Sequence, residues 1–143
     1  MPGAERTDQR RPGRSRPVTV VVDGNNVVGT VPDGWWRDRR AAARRLLARL
    51  QCLQARTGNE LILVLDVLDH ELPEGDHSGV VVRYATRRGP NAADDRIREL
   101  VAELDGRRLE VVTSDRALAA DVSPSARLVT ARSFLTSLDE VGC

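Results

Sequence analysis

The chain has 143 residues, enough for a single domain to bury a core without disulfides or structural metal. Its 41% hydrophobic and 30% charged residues leave a formal net charge of +1, so any polyanionic partner must be held by a local patch rather than by the field of the whole molecule. No run approaches the roughly 20 apolar residues of a membrane span, and the N-terminal arginines lead into no apolar signal segment, which predicts a cytoplasmic protein.

Taken in chain order, residues 1–16 hold Pro2, Gly3, Pro12, Gly13 and five arginines and almost nothing apolar, which predicts a flexible Arg-rich tail before a folded domain over 17–143. The β-branched run Val18 to Val22 predicts the first strand. Ala43, Leu46, Leu47, Leu50 and Leu53 fall on one helical face, and Gly58 supplies the stop. Leu61 to Leu65 is the second strand, a loop covers Val67 to Gly79, and Val80 to Tyr84 is a third strand of undecided direction. Ile97, Leu100, Val101 and Leu104 repeat the helical spacing before Asp105-Gly106. Leu109 to Val112, a short helix at Ala117 to Ala120, the strand Arg127 to Val129 and a helix at Phe134 to Leu138 complete the pattern. Apolar strands with little polar alternation suit a sheet covered on both faces. Their alternation with helices predicts a three-layer α/β/α, Rossmann-like domain with a mostly parallel central sheet of about five strands. Cys52 and Cys143 form neither a Cys-x-x-Cys pair nor a zinc spacing with His70 and His77, so no structural zinc is expected.

In open α/β sheets ligands bind outside the carboxyl ends of the strands. Asp23 follows the first strand, Asp66 ends the second, and Asp115 follows the fourth after Thr113-Ser114. Asp94 and Asp95 open a helix just after Gly89-Pro90-Asn91, which puts five acids at one edge. Singly, each could be a helix cap or a first-turn acid. Together they repel: two carboxylates about 4 Å apart cost roughly 4 kcal/mol at an effective dielectric of about 20, so the cluster needs protons or a cation. An all-oxygen donor set without histidine or cysteine suits Mg²⁺ or Mn²⁺, whose bound waters can attack a phosphate ester.

Four segments in order carry a resemblance: Val22-Asp23-Gly24-Asn25-Asn26-Val27, Leu65-Asp66, Arg88-Gly89 to Ala93-Asp94-Asp95, and Thr113-Ser114-Asp115-Arg116. They are similar to the NYN domains of the PIN-like ribonucleases, and most closely to the YacP-like branch, from about Val18 to Leu138. The resemblance implies a PIN-like fold and hydrolysis of single-stranded RNA, with Asp23, Asn26, Asp66, Asp94, Asp95 and Asp115 in the active site and Asp23, Asp95 and Asp115 holding the metal. Asn25 stands where the family usually has an aromatic residue, and Val67 where it usually has glycine.

Read from the residues alone, Gly24 permits a close turn and the Asn26 amide can orient an acid or a water, though both are also ordinary turn residues. Arg87 and Arg88, with Arg116 beside Asp115, are candidate RNA contacts; a solvated loop is the alternative for the first two. Trp35 and Trp36 suit packing at a helix start better than base stacking. Other enzymes of this architecture are excluded by motif. Asn25 occupies the place of the second aspartate of a haloacid-dehalogenase-type phosphatase, no lysine exists for a receiver domain, and no Gly-Lys-Ser/Thr follows a glycine-rich turn. The remaining alternatives are a non-catalytic RNA-binding or ribosome-associated module and a toxin-like nuclease; the expected partner is single-stranded RNA, with ribosome-associated mRNA as one candidate.

Overall fold

The computed structural model describes residues 17–143, so the tail expected over residues 1–16 lies outside the described residues. Strand β1 (Thr19–Asp23) runs directly into a short helix α1 (Gly24–Thr30), and a 3-10 turn at Trp35–Arg37 leads to the long helix α2 (Arg39–Thr57). There follow β2 (Glu60–Leu65), β3 (Gly75–His77), β4 (Val80–Tyr84), α3 (Ala92–Glu103), β5 (Leu109–Val112), α4 (Arg116–Val122), β6 (Arg127–Val129) and α5 (Ala131–Glu140). The ends follow local chemistry. Asp38 caps α2 by accepting from the Ala41 amide at 3.0 Å, and Gly58, at φ 72°, takes the left-handed conformation that closes it.

The six strands lie in the order β3-β4-β2-β1-β5-β6, and every pairing is parallel except that of β3 with β4. The sheet is therefore mostly parallel, with one strand more than the expected five. Strand β3 falls inside the segment read as a loop. It pairs antiparallel with β4 through a two-residue turn at Ser78 (φ 51°) and Gly79 (φ 95°), whose positive angles suit the twist of a tight hairpin. Three residues carry too little periodicity to announce a strand. Val80–Tyr84 itself runs parallel to β2, settling its direction.

Side-chain alternation divides the core. Val20, Val22, Leu61, Leu63 and Leu65 pack with Leu46, Leu50, Phe134 and Leu138 of α2 and α5. Val21, Val64 and Val111 face the other way, against Ile97, Leu100, Val101 and Leu118 of α3 and α4. Continuing that alternation, Asp23, Asp66 and Thr113 share parity with Val21, Val64 and Val111, which aims them at the face where α3 and α4 begin. The strand order also reverses around β1, because the chain builds outward through β2 and β4 and then crosses by α3 to β5 on β1's other side. That switch point lies between β1 and β5, at the end of Asp23.

Cys52 of α2 and Cys143 are joined by a disulfide across 91 residues of sequence. Their separation hid the pair from local spacing rules, although both sit on one side of the α2–α5 layer, where Arg49 also donates to the Cys143 carbonyl at 3.0 Å. Such a bond persists in oxidising surroundings and is reduced to two thiols in most cytoplasms. Among the described residues no helix is long and apolar enough to cross a membrane. Replacing Cys52 by Ser is expected to lower unfolding stability by about 2–4 kcal/mol in oxidising buffer and to have little effect in excess reductant. Urea denaturation with and without dithiothreitol reads this difference directly, and an equal loss in both buffers would mean that Cys52 matters only through packing.

Candidate active site

The turn from β1 into α1 leaves no space for any residue but glycine. A Cβ on Gly24 would stand 2.7 Å from the Val64 carbonyl oxygen and 2.7 Å from Leu65 Cδ2. This close approach presses the start of α1 onto β2 and sets Asp23 at the rim of the sheet, where it is only 4% exposed. Thr113, also buried, donates its hydroxyl to Asp23 Oδ2 at 2.8 Å and accepts from the Asp115 amide at 3.1 Å. The two central strand ends are thus tied together by side chains. Asn26 adds a second tie, its Oδ1 accepting from the Ser114 amide at 2.8 Å, while Ser114 Oγ accepts from the Ala131 amide at 3.0 Å.

Above these ties lies a cavity of about 390 Å³ walled by Asp23, Asn25, Asn26, Asp66, Asp94 and Asp115, with Gly89 to Ala93 along one side. The acids are not equivalent. Burial pushes the Asp23 carboxyl up to about 6; the Thr113 hydrogen bond opposes the rise, and the charges of Asp94 and Asp115 add to it. The backbone N–H of Asn26, close to the carboxylate though outside good capping geometry, also favours the charged form. Asp94, in the first turn of α3, is raised as well, first by burial and then by Asp115. Asp115 is in part the plain helix cap that its position allowed: its Oδ1 accepts from the Leu118 amide at 2.9 Å. Asp66 is more open, and both of its oxygens receive Arg39 Nη2, at 3.1 and 3.2 Å.

Asp95 departs from its expected place. It does not wall the cavity; its carboxylate pairs with Arg87 and Arg98, the latter at 3.0 Å, and the Arg87 hydrogen bond holds it below the usual carboxylate range. The cause is helical geometry, since neighbours on a helix point about 100° apart. Asp94 continues the buried stripe of Ile97 and Val101, whereas Asp95 sits three residues before Arg98 and turns outward. Asp94 rather than Asp95 is therefore the carboxylate placed with Asp23 and Asp115. Arg87 is likewise engaged, donating to Asp95 and to the Pro90 carbonyl, so it braces the turn that delivers Asp94. Arg88 and Arg116 are exposed, with Arg116 outside the cavity wall at the start of α4.

Reading for carboxylates missed the hydroxyl of Thr113 and the pairing of Arg39 with Asp66. Thr113 carries a usable signal, because it is a polar residue at the next inward position after the apolar β5. Trp35 is half-buried and meets Trp36 edge-on at 6.1 Å between ring centres, while Trp36 is 59% exposed under the Arg37 guanidinium. His77 contacts the Pro73 carbonyl, and neither histidine reaches the cavity.

The donor chemistry of the cavity fits a hard divalent cation. Among the described residues no three carboxylate, histidine or cysteine groups already close on one point. Acids bordering a space with room for an ion and its waters match an ion such as Mg²⁺, which is usually held by one or two carboxylates and keeps several waters.

The structure is thus an α/β/α domain with acids gathered at the switch point of a mostly parallel sheet, an arrangement compatible with the PIN-like nuclease folds. The YacP-like NYN domain model matches residues 20–142, and the chain belongs to that family. The crystal structure of Rae1 (YacP) from Bacillus subtilis superposes with a TM-score of 0.72 at 26% identity, covering 86% of this chain and 74% of that one. A point variant of the same Bacillus protein gives 0.70 at 25% identity, covering 86% and 76%. No curated protein sequence matches the chain. Family and fold together point to a nuclease-type function.

The raised Asp23 carboxyl has a consequence for stability. Its folded value, near 6, exceeds the ordinary 3.8, so its protonated form favours the folded state. That contribution is complete below about pH 4 and is lost as pH rises through 6, at a cost of about 2–3 kcal/mol. Asp23→Asn keeps an acceptor for Thr113 and removes the charge. In chelator it is expected to stabilise the protein by about 2–3 kcal/mol at pH 8 and by little at pH 4. A pH-independent change near zero for Asp23→Asn, with a pH-independent loss of about 1 kcal/mol for Asp23→Ala in urea melts, would instead make Asp23 an ordinary structural cap.

Proposed function

We propose that the protein is a metal-dependent endoribonuclease that hydrolyses phosphodiester bonds of single-stranded RNA at the Asp23 cavity, with Mg²⁺ or Mn²⁺ as cofactor. The observation that carries this reading is the burial of the Asp23 carboxylate against two further acids, an arrangement that costs stability and is explained by chemistry rather than by folding. Asp23, Asp94 and Asp115 would hold the cation, with Asp94 replacing Asp95 in that set. Asp23 Oδ1 and Asp115 Oδ2 are the oxygens left available by the bonds to Thr113 and Leu118. When bound, a divalent ion supplies polarisation of the phosphate and a lowered pKa for a water that it carries.

The remaining residues position. Asp66, held by Arg39 at the mouth of the cavity, is suited to accept a hydrogen bond from the attacking water rather than to bind the ion. Asn26, its Oδ1 fixed by the Ser114 amide, has its NH₂ left to donate to a phosphate oxygen. Thr113 orients Asp23, and its loss should disturb the site without removing a charge.

The direct test is incubation of the pure protein with end-labelled single-stranded RNA in Mn²⁺, in Mg²⁺ and in chelator. Cleavage in metal alone is expected, with Asp23→Ala and Asp94→Ala each reducing turnover by at least about 100-fold. Wild-type protein that binds RNA but leaves it intact in both metals would point instead to a binding module.

A further inference from the structure

Beside the aspartate cavity lies a second depression, of about 560 Å³, and the two share Asp66 as a common wall. Their charges are opposite. The first presents Asp23, Asp66, Asp94 and Asp115; the second presents Arg40, Arg87 and Arg88 against Asp66 alone, with His70 at its side. The three arginines differ in how far they are engaged. Arg87 is spent on Asp95 and the Pro90 carbonyl. Arg40 donates only its Nε, to the Leu68 carbonyl at 3.0 Å, which fixes the stem and leaves both terminal nitrogens without a partner among the described residues. Arg88 has no side-chain partner among the described residues. In the same depression Leu68 is 48% exposed, one of few large apolar side chains among the described residues left open to solvent.

We propose that this groove carries the stretch of RNA next to the scissile bond, with Arg40 and Arg88 binding flanking phosphates and the Leu68 side chain seating the intervening base. The proposal rests on the nuclease reading of the aspartate cavity and supplies what that cavity lacks. Four acids repel a polyphosphate, and a net charge of +1 gives no compensating attraction from the molecule at large. Cations next to the acids would supply a local attraction, and the groove places there two guanidinium groups whose terminal nitrogens have no partner among the described residues. Guanidinium forks suit phosphate oxygens, and an exposed apolar side chain accepts a base face without reading its sequence. Arg87, expected from sequence to touch RNA, acts here as a positioning residue that braces the Asp94–Asp95 turn.

The test uses the full chain and a fluorescein-labelled single-stranded RNA 12-mer. Binding is followed by anisotropy in chelator across a salt series, and cleavage by steady-state kinetics in Mn²⁺. The double variant Arg40→Ala/Arg88→Ala is expected to weaken binding at least tenfold and to flatten the slope of log K against log salt by about 1.4, at roughly 0.7 per lost phosphate contact. KM should rise by a similar factor with kcat nearly unchanged, and Arg40→Lys/Arg88→Lys should restore the salt slope. A merely structural role for Arg40 would show in thermal unfolding without RNA and leave the slope alone. If the wild type cleaves while the double Ala variant keeps its KM and slope, the groove is not the RNA path. If binding depends on both arginines but no RNA is ever cut, the groove stands and the nuclease reading fails.

Discussion

The rest of the site depends on one unfavourable interaction: the Asp23 carboxylate is buried at the end of the central strand while Asp94 and Asp115 face it across a small cavity. A fold has no stability reason to assemble such a group. The Asp23 carboxylate is seated there by Gly24, whose lack of a Cβ lets α1 settle onto β2, and by the hydroxyl of Thr113, which donates to it. The carboxyl responds by holding its proton to about pH 6, the electrostatic record of a charge that awaits a partner. On the proposed reading a cation would relieve the burial cost and the repulsion together, so that the arrangement that weakens the metal-free protein would suit it to phosphate chemistry.

The sheet converts this local conflict into a site. Parallel strands deliver their carboxyl ends to one edge, and the reversal of strand order beside β1 opens a gap there between β1 and β5. Helix α3 fills the face below the gap and brings its first turn, with Asp94, over the acids. Arg87 and Arg98 hold Asp95 in the same turn, so the ion pairs outside the cavity fix the carboxylate inside it. The arginines of the molecule are therefore not a diffuse basic surface; several are bound to particular acids, and Arg39 on Asp66 is another.

Much of this was legible in the sequence, because apolar strands, amphipathic helices and acids at strand ends are each local patterns. Val18 to Val22 and Leu61 to Leu65 announce β1 and β2, and the period of two carries the parity of Val21 and Val64 through to Asp23 and Asp66. What escaped depends on contacts between distant segments. Strand β3 exists because β4 lies beside it, and α1 because Gly24 can touch β2. The bond between Cys52 and Cys143 spans 91 residues, beyond the reach of any spacing rule. The choice of Asp94 over Asp95 was open to a closer reading, since Ile97 and Val101 lie three and seven residues after Asp94 and Arg98 three after Asp95. The resemblance to YacP-like NYN domains gave the acids a role, but the direction of each carboxylate is a property of the helix that carries it.

That direction is also where the central claim is most exposed. Isothermal titration of the RNA-free, metal-free protein with Mn²⁺ at pH 8 measures whether the crevice binds a cation and which neighbour in the α3 turn takes part. The expected result is saturable binding by the wild type and by Asp95→Asn, weakened at least about tenfold by Asp94→Asn. Absence of saturable binding in the wild type, or its loss in Asp95→Asn with Asp94→Asn unaffected, would contradict a cation site built from Asp23, Asp94 and Asp115.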